Sequence, residues 1–173
     1  MTLFALTAIG RDRPGIVAAI SRVLLDLDGN IEDSQMSILR GHFAVMLIVS
    51  VAGEGSELAE RLERVRDEFQ LEAIAVNEVA ELGDGGEPTH TLTVYGADHP
   101  GIVHAVTEAL ALRRVNITDL HTRLAGSSEK PVYVMMMEVA VPGDPRELRE
   151  ALEQVGQRGG LDVSLRQLDS EAL

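Results

Sequence analysis

The sequence predicts an α+β fold made of two β-α-β-β-α-β units in tandem, and three observations carry that reading. The first is an internal repeat. Asp12-Arg13-Pro14-Gly15-Ile16-Val17 … Asn30-Ile31-Glu32-Asp33 returns as Asp98-His99-Pro100-Gly101-Ile102-Val103 … Asn116-Ile117-Thr118-Asp119 at a constant offset of 86. Over the 28 paired positions from Leu6 and Leu92 onward, 13 are identical, where chance at ordinary composition gives about two. The second is the alternation of apolar runs of strand length with stretches of helical spacing, in the same order in both halves. The third is Asp84-Gly85-Gly86-Glu87-Pro88, a polar, Gly-rich segment ending in a helix breaker, which reads as a linker. These place a first domain at 1–82, a linker at 83–88 and a second domain at 89–173.

Leu3–Ile9 reads as the first strand. Pro14–Asp28 has Ile16, Ile20, Val23, Leu24 and Leu27 on one helical face, with Gly29 as its C-terminal stop. Ile31–Leu39 and Phe43–Val51 follow as strands joined by the short hairpin Arg40-Gly41-His42. Ser56–Phe69 is a second helix, capped by Ser56, with a stripe of Leu58, Leu62, Val65 and Phe69. Leu71–Val79 closes the unit. The second half repeats the order with Thr91–Tyr95, Pro100–Arg114, Ile117–Leu124, Val132–Val141, Pro145–Gln157 and Leu161–Leu168, and with a longer hairpin loop, 125–131. A β-α-β-β-α-β unit is the ferredoxin-like arrangement, an antiparallel four-stranded sheet with both helices on one face.

Composition narrows the function. The formal charge is −13 and no Lys/Arg-rich run exists, so direct binding to a phosphate backbone is disfavoured. Cysteine is absent, which removes disulfides, thiolate nucleophiles and Cys-based metal sites. The start Met1-Thr2-Leu3-Phe4-Ala5-Leu6 lacks the basic character of a signal peptide, and no apolar run nears the length of a membrane span. A cytoplasmic protein is expected.

The repeated residues gather at one strand-to-helix turn in each half. Pro14 and Pro100 suit the first helical turn, where a missing N–H costs nothing. Asp12 and Asp98 are candidate caps for the free donors. Gly15 and Gly101 let a backbone or ligand approach closely. The remaining N–H groups and the positive end of the helix dipole form a seat suited to a carboxylate. The same residues also make an ordinary well-formed helix start, and the duplication together with the matching Asn30 and Asn116 at the far end of the helix is what favours a site. Each Asn is open to two readings, as a turn residue or as a hydrogen-bonding partner for a polar ligand between packed units.

Asp-Arg-Pro-Gly-Ile-Val-Ala-Ala-Ile-Ser followed by Gly-Asn-Ile-Glu-Asp-Ser resembles the ACT domain, a small regulatory module that binds amino acids. The tandem form with no attached enzyme resembles the glycine cleavage system transcriptional repressor family. The resemblance implies an amino acid such as glycine held between paired domains. It implicates Asp12, Arg13, Pro14, Gly15 and Ile16 with Asn30, and Asp98, His99, Pro100, Gly101 and Ile102 with Asn116. It further implies a homodimer and action through contact with a DNA-binding activator. The second copy departs from the pattern, with His99 for Arg13 and Val115 for Gly29, so unequal affinities are expected.

Other features read as structural. The five histidines show no metal-ligand spacing, and neither a cofactor nor a metal is expected. Met135-Met136-Met137 alternates across a strand and reads as core and interface packing. Ser21 and Thr107 read as helix-surface hydroxyls, and Glu57–Arg61 and Glu60–Arg64 as i,i+4 pairs on a solvated face. No set of nucleophile, base and orienting residue is visible, so catalysis is not expected. Two alternatives stay open: a ligand-free interaction or regulatory subunit of a metabolic enzyme, and a detached module of a formyltetrahydrofolate deformylase-like enzyme, in which a similar Asp-Arg-Pro-Gly module precedes the catalytic domain.

Overall fold

Alternation of inward and outward side chains along Thr2–Arg11 makes it strand β1, with Phe4, Leu6 and Ala8 buried on one face. In this computed structural model, which describes residues 1–83, 86–127 and 130–168, the chain divides into two compact units, Met1–Leu82 and Gly83–Leu173. Residues 84 and 85 of the expected linker, and 128 and 129 of the expected second hairpin loop, lie outside the described residues.

In the first unit β1 is followed by α1 (Ile16–Asp26), β2 (Asn30–Leu39), β3 (His42–Val51), α2 (Gly55–Phe69) and β4 (Ala73–Glu78). The sheet is antiparallel in the order β2-β3-β1-β4. The second unit repeats it with β5 (His90–Ala97), α3 (Ile102–Ala111), β6 (Asn116–Ser127), β7 (Lys130–Ala140), α4 (Arg146–Gly159) and β8 (Leu161–Gln167), in the order β6-β7-β5-β8. Each is the expected ferredoxin-like βαββαβ arrangement.

Each unit has its own core. Ile16, Ile20 and Leu24 of α1 and Leu58, Leu62 and Val65 of α2 pack on Phe4, Leu6, Leu47 and Val49 of the sheet. The second core sets Ile102, Val106, Leu110, Leu148 and Leu152 against Leu92, Val94, Met135 and Met137. Each such fully buried aliphatic side chain contributes about 1.5–3 kcal/mol. Met136 is 47% exposed between its two buried neighbours, as strand alternation requires.

Several element ends differ from expectation. α1 begins at Ile16, not Pro14, because Gly15 is the N-cap, so Pro14 lies before the helix rather than in its first turn. Asp12 and Asp98 cap nothing, since neither α1 nor α3 has a side-chain cap bond. The stop of α1 is a Schellman motif whose left-handed residue is Asp28 (φ 48°), not Gly29; Asp28 N–H bonds Leu25 O at 3.1 Å and Gly29 N–H bonds Leu24 O at 2.8 Å. The motif recurs after α3 with Arg114 (φ 56°), where Val115 N–H bonds Leu110 O at 3.1 Å, so Val115 keeps the stop that Gly29 makes and adds a buried side chain to the core. Asn30 and Asn116 are therefore the first residues of β2 and β6, not caps. Ser56 also lies inside its helix; α2 starts at Gly55 behind Glu54. Leu71 is a core residue that ends α2 rather than starting β4, because its N–H bonds Arg66 O at 2.9 Å. α4 runs from Arg146 to Gly159 and stops at left-handed Gly160. The first hairpin turns on Arg40 (φ 52°) and Gly41 (φ 84°), two left-handed residues matching the twist of a two-residue loop.

The cores differ at one end. His90 occupies the repeat position of Phe4 and is only 6% exposed. Its Nδ1 lies 2.9 Å from Thr89 Oγ1. Burial, then the charge of Arg149, pushes its pKa below the usual histidine value of 6.5. The unfolded chain thus takes up the proton first. The part of the second unit's stability linked to His90 is whole above pH 6.5 and is lost as pH falls from there through the lowered folded value. Melting curves between pH 7.5 and 5 are expected to show this loss, and His90→Phe, which copies the first unit, to flatten it; an unchanged pH profile in that variant contradicts the assignment.

Candidate functional site

The turn between β1 and α1 is built by exhaustion of the strand. Asp12 N–H bonds Gly41 O at 3.0 Å and extends the sheet by one bond beyond β1. Pro14 has no N–H to continue it. Gly15 then turns the chain with φ 101° and ψ −13°, and its carbonyl accepts Ala19 N–H at 2.8 Å, the first bond of α1. Gly101 repeats this with φ 95° and ψ −6°, accepting from Ala105 N–H at 2.9 Å. The glycines serve this positive φ, which L side chains rarely adopt. Close approach is not the cause: a Cβ at Gly101 meets nothing within 4 Å, and one at Gly15 makes ordinary 3.4 Å contact with the Phe69 ring.

The two repeated helix starts differ electrostatically from the other two. α2 and α4 carry Glu57 and Glu147 in their first turns, whereas α1 and α3 carry no acidic residue there. Their N-terminal dipole charge is left uncompensated by side chains, and their first-turn N–H groups lack side-chain acceptors. The turn residues Asp12, Arg13, Pro14 and Gly15 are exposed, as are Asp98, His99, Pro100 and Gly101. Ile16 and Ile102 are 1% and 3% exposed and hold the helix to the core, so a ligand can reach only their backbone.

The structure does not bring the asparagines to these turns. Arg11 pairs with His42 at one end of β3, while Asn30 pairs with Ser50 near the other. Eight residues of strand separate these points, about 26 Å at 3.3 Å per residue. Asn116 and Ala97 are separated in the same way along β7. Asn30 Nδ2 donates to Glu32 Oε1 at 3.4 Å, and Ser50 Oγ donates to the same oxygen at 2.5 Å. A register shift follows immediately, between Ile31 and Asp33, and recurs between Ile117 and Asp119; bulges of this kind re-aim side chains near sites. Asn116 lines an open groove of about 480 Å³ with His104, Thr107, Glu108 and Ala111 of α3.

Other candidates resolve into structure. Ser21 and Thr107 donate to Ala18 O and His104 O of their own helices at 3.0 and 3.2 Å. The Glu57–Arg61 and Glu60–Arg64 pairs form on the exposed face of α2. A hollow of about 270 Å³ between α3 and α4 contains Arg113, whose guanidinium donates to Glu147 O and Ala109 O. Among the described residues, no three His, Asp or Glu side chains are grouped to hold a metal ion, and no helix is long and apolar enough to cross a membrane.

Sequence reasoning missed two features here. The missing first-turn acid of α1 and α3 was readable once the helix starts were placed. The buried His90 was signalled by its repeat partner Phe4.

Two ferredoxin-like units, each with an uncompensated helix start behind a Pro-Gly turn, define the class: a tandem of small α+β regulatory modules. ACT-domain models match residues 2–75 and 90–157, and the chain belongs to the ACT-domain family, carrying two ACT domains in tandem. It is 38% identical over 81 residues to a UPF0237 protein of Methanopyrus kandleri, covering 45% of this chain and 90% of that protein. It is a homologue of the glycine cleavage system transcriptional repressor of Escherichia coli K12, at 28% identity over 119 residues, 68% of this chain and 63% of the repressor, so the match spans less than two thirds of that protein. A crystal structure of an unknown protein from Galdieria sulphuraria superposes with a TM-score of 0.84 at 30% identity, over 97% of this chain and 99% of that one.

Proposed function

We propose that this protein is a non-enzymatic, cytoplasmic sensor of a small amino acid, glycine or one of similar size, regulating transcription in the manner of its glycine cleavage repressor homologue. The observation that carries the reading is the uncompensated, Gly-capped helix start made twice at corresponding positions. The amides of Ile16 and Val17, or of Ile102 and Val103, would hold the carboxylate of the ligand. Because the turns and the asparagines of one unit are about 26 Å apart, an amino acid cannot touch both sets at once. The Asn that meets a given turn would instead come from a different ACT unit; with that unit on a second copy of the chain, the effector sits in a homodimer and stabilises it. Such a ligand changes the surface offered to a partner by its differential affinity for the two arrangements. With a net charge of −13, the partner fits better as a DNA-binding protein than as DNA itself.

Melting curves test this. A ligand at a hundredfold excess over its Kd adds about 2.7 kcal/mol. The melting temperature is expected to rise with glycine, serine or alanine and to stay level with acetate or methylamine, which carry only half of the recognised group. No shift with any amino acid at millimolar concentration overturns the proposal.

A further inference from the structure

We infer that Arg13 and His99 are positioning residues that latch each turn onto the C-terminal end of the same unit's second helix, rather than residues that meet the effector. The inference rests on the reading of the turns as effector seats only for its consequence in binding; the latch itself stands without ligand.

Four observations support it. Arg13 Nη2 donates to Gln70 Oε1 at 2.7 Å, bridging 57 residues. Gln70 is the left-handed C-cap of α2, with φ 53°. In the second unit His99 Nε2 lies 3.2 Å from Gly159 O, at the end of α4, where the left-handed C-cap is Gly160. Gln70 and Gly160 are equivalent positions in the two units. Where the second unit has Gly160 and no side-chain acceptor, the turn residue is His99, whose Nε2–H tautomer donates to a backbone carbonyl of the same helix end while Nδ1 lies 3.1 Å from Pro100 O. The two copies thus differ in both partners and agree in the connection.

The neighbouring backbone has the same closeness. A Cβ at Gly10 would lie 3.0 Å from Leu71 Cα, and one at Gly96 would lie 3.1 Å from Gly160 O. The end of the first strand therefore abuts the stop of the second helix in both units, and the side chain three residues after each glycine closes the gap over it. A cation or imidazole N–H directed at a helix C-terminus is also favoured by the dipole there. Held in this way, the turn presents its amides in one orientation, and motion at the end of α2 or α4 passes to the seat.

The test uses the intact chain and two single variants, Arg13→Ala and Gln70→Gly. The second removes the acceptor while keeping the left-handed cap, so α2 still stops where it does. Hydrogen exchange is followed at the amides of Asp12 and Ala19, which bond Gly41 O and Gly15 O, first without ligand and then with glycine as the probe. Both variants are expected to speed exchange at these amides to a similar extent, about fivefold for a lost bond worth about 1 kcal/mol. Arg13→Ala made in the Gln70→Gly background is expected to add nothing. Both are also expected to weaken glycine binding by the same factor. Unchanged exchange in Gln70→Gly overturns the latch, as does a loss of binding in Arg13→Ala that Gln70→Gly does not share, since the latter outcome makes Arg13 a direct contact. If glycine fails to bind the unmodified chain, the exchange data without ligand still decide the latch.

Discussion

Asn30→Ala together with Asn116→Ala is expected to abolish the rise in melting temperature that a small amino acid gives the unmodified chain, with little effect on stability in its absence. Both side chains are exposed at the first residue of a strand, so truncation removes no core packing. At Asn30 the structural loss is the 3.4 Å bond to Glu32, and Glu32 keeps its bond from Ser50. In a ligand complex the cost is larger. An amide that pairs with a charged ammonium or carboxylate contributes about 1.5–3 kcal/mol, enough for a tenfold to hundredfold loss of affinity. The single variants separate the halves. Asn30→Ala and Asn116→Ala are expected to cost about the same, because Val115 keeps the helix stop that Gly29 makes and His99 makes the same connection as Arg13. Unequal losses would show that the changes at His99 and Val115 reach the site, and retention of full binding by the double variant would remove the asparagines from it.

Gly15→Ala and Gly101→Ala carry the second large effect. Their φ values of 101° and 95° are well beyond the left-handed angles that Asp28 and Arg114 tolerate near 50°. A non-glycine residue there costs about 1–3 kcal/mol of backbone strain. For a domain of this size each kcal/mol lowers the melting temperature by about 4–8 °C. The strain is relieved by rotating the turn, which moves the first-turn amides off the seat, so binding is expected to fall as well as stability. A Cβ at either glycine has room, so the effect isolates the backbone conformation from any clash. Variants that melt and bind as the unmodified chain does would refute the left-handed N-cap.

The fold was legible because the repeat supplied each element twice. An apolar stripe such as Leu58, Leu62 and Val65 has only one way to bury itself, and its counterpart Leu148 and Leu152 confirms the reading. Element ends were less legible. Pro14 and Ser56 both satisfy local rules for a helix start, yet a backbone torsion at Gly15 and the register of α2 against the core moved each start by one or two residues. Gly29 suited a left-handed stop, but the stop falls one residue earlier on Asp28, which pays a small strain for it. The candidate site was legible in residue type more than in placement. Residue types pointed to the turns and to the asparagines at the far end of the helix, and strand register gives the separation, eight residues of strand in each unit. Arg13 entered the candidate site through the family resemblance, and nothing in the sequence places Gln70 beside it.

The most direct test of the account is calorimetric titration of the intact chain with glycine, followed by serine and alanine. Saturable binding is expected, weakened in Asn30→Ala and absent when Asn116→Ala is added. No measurable heat or saturation with any of the three, from a chain that is folded and monodisperse, would contradict it.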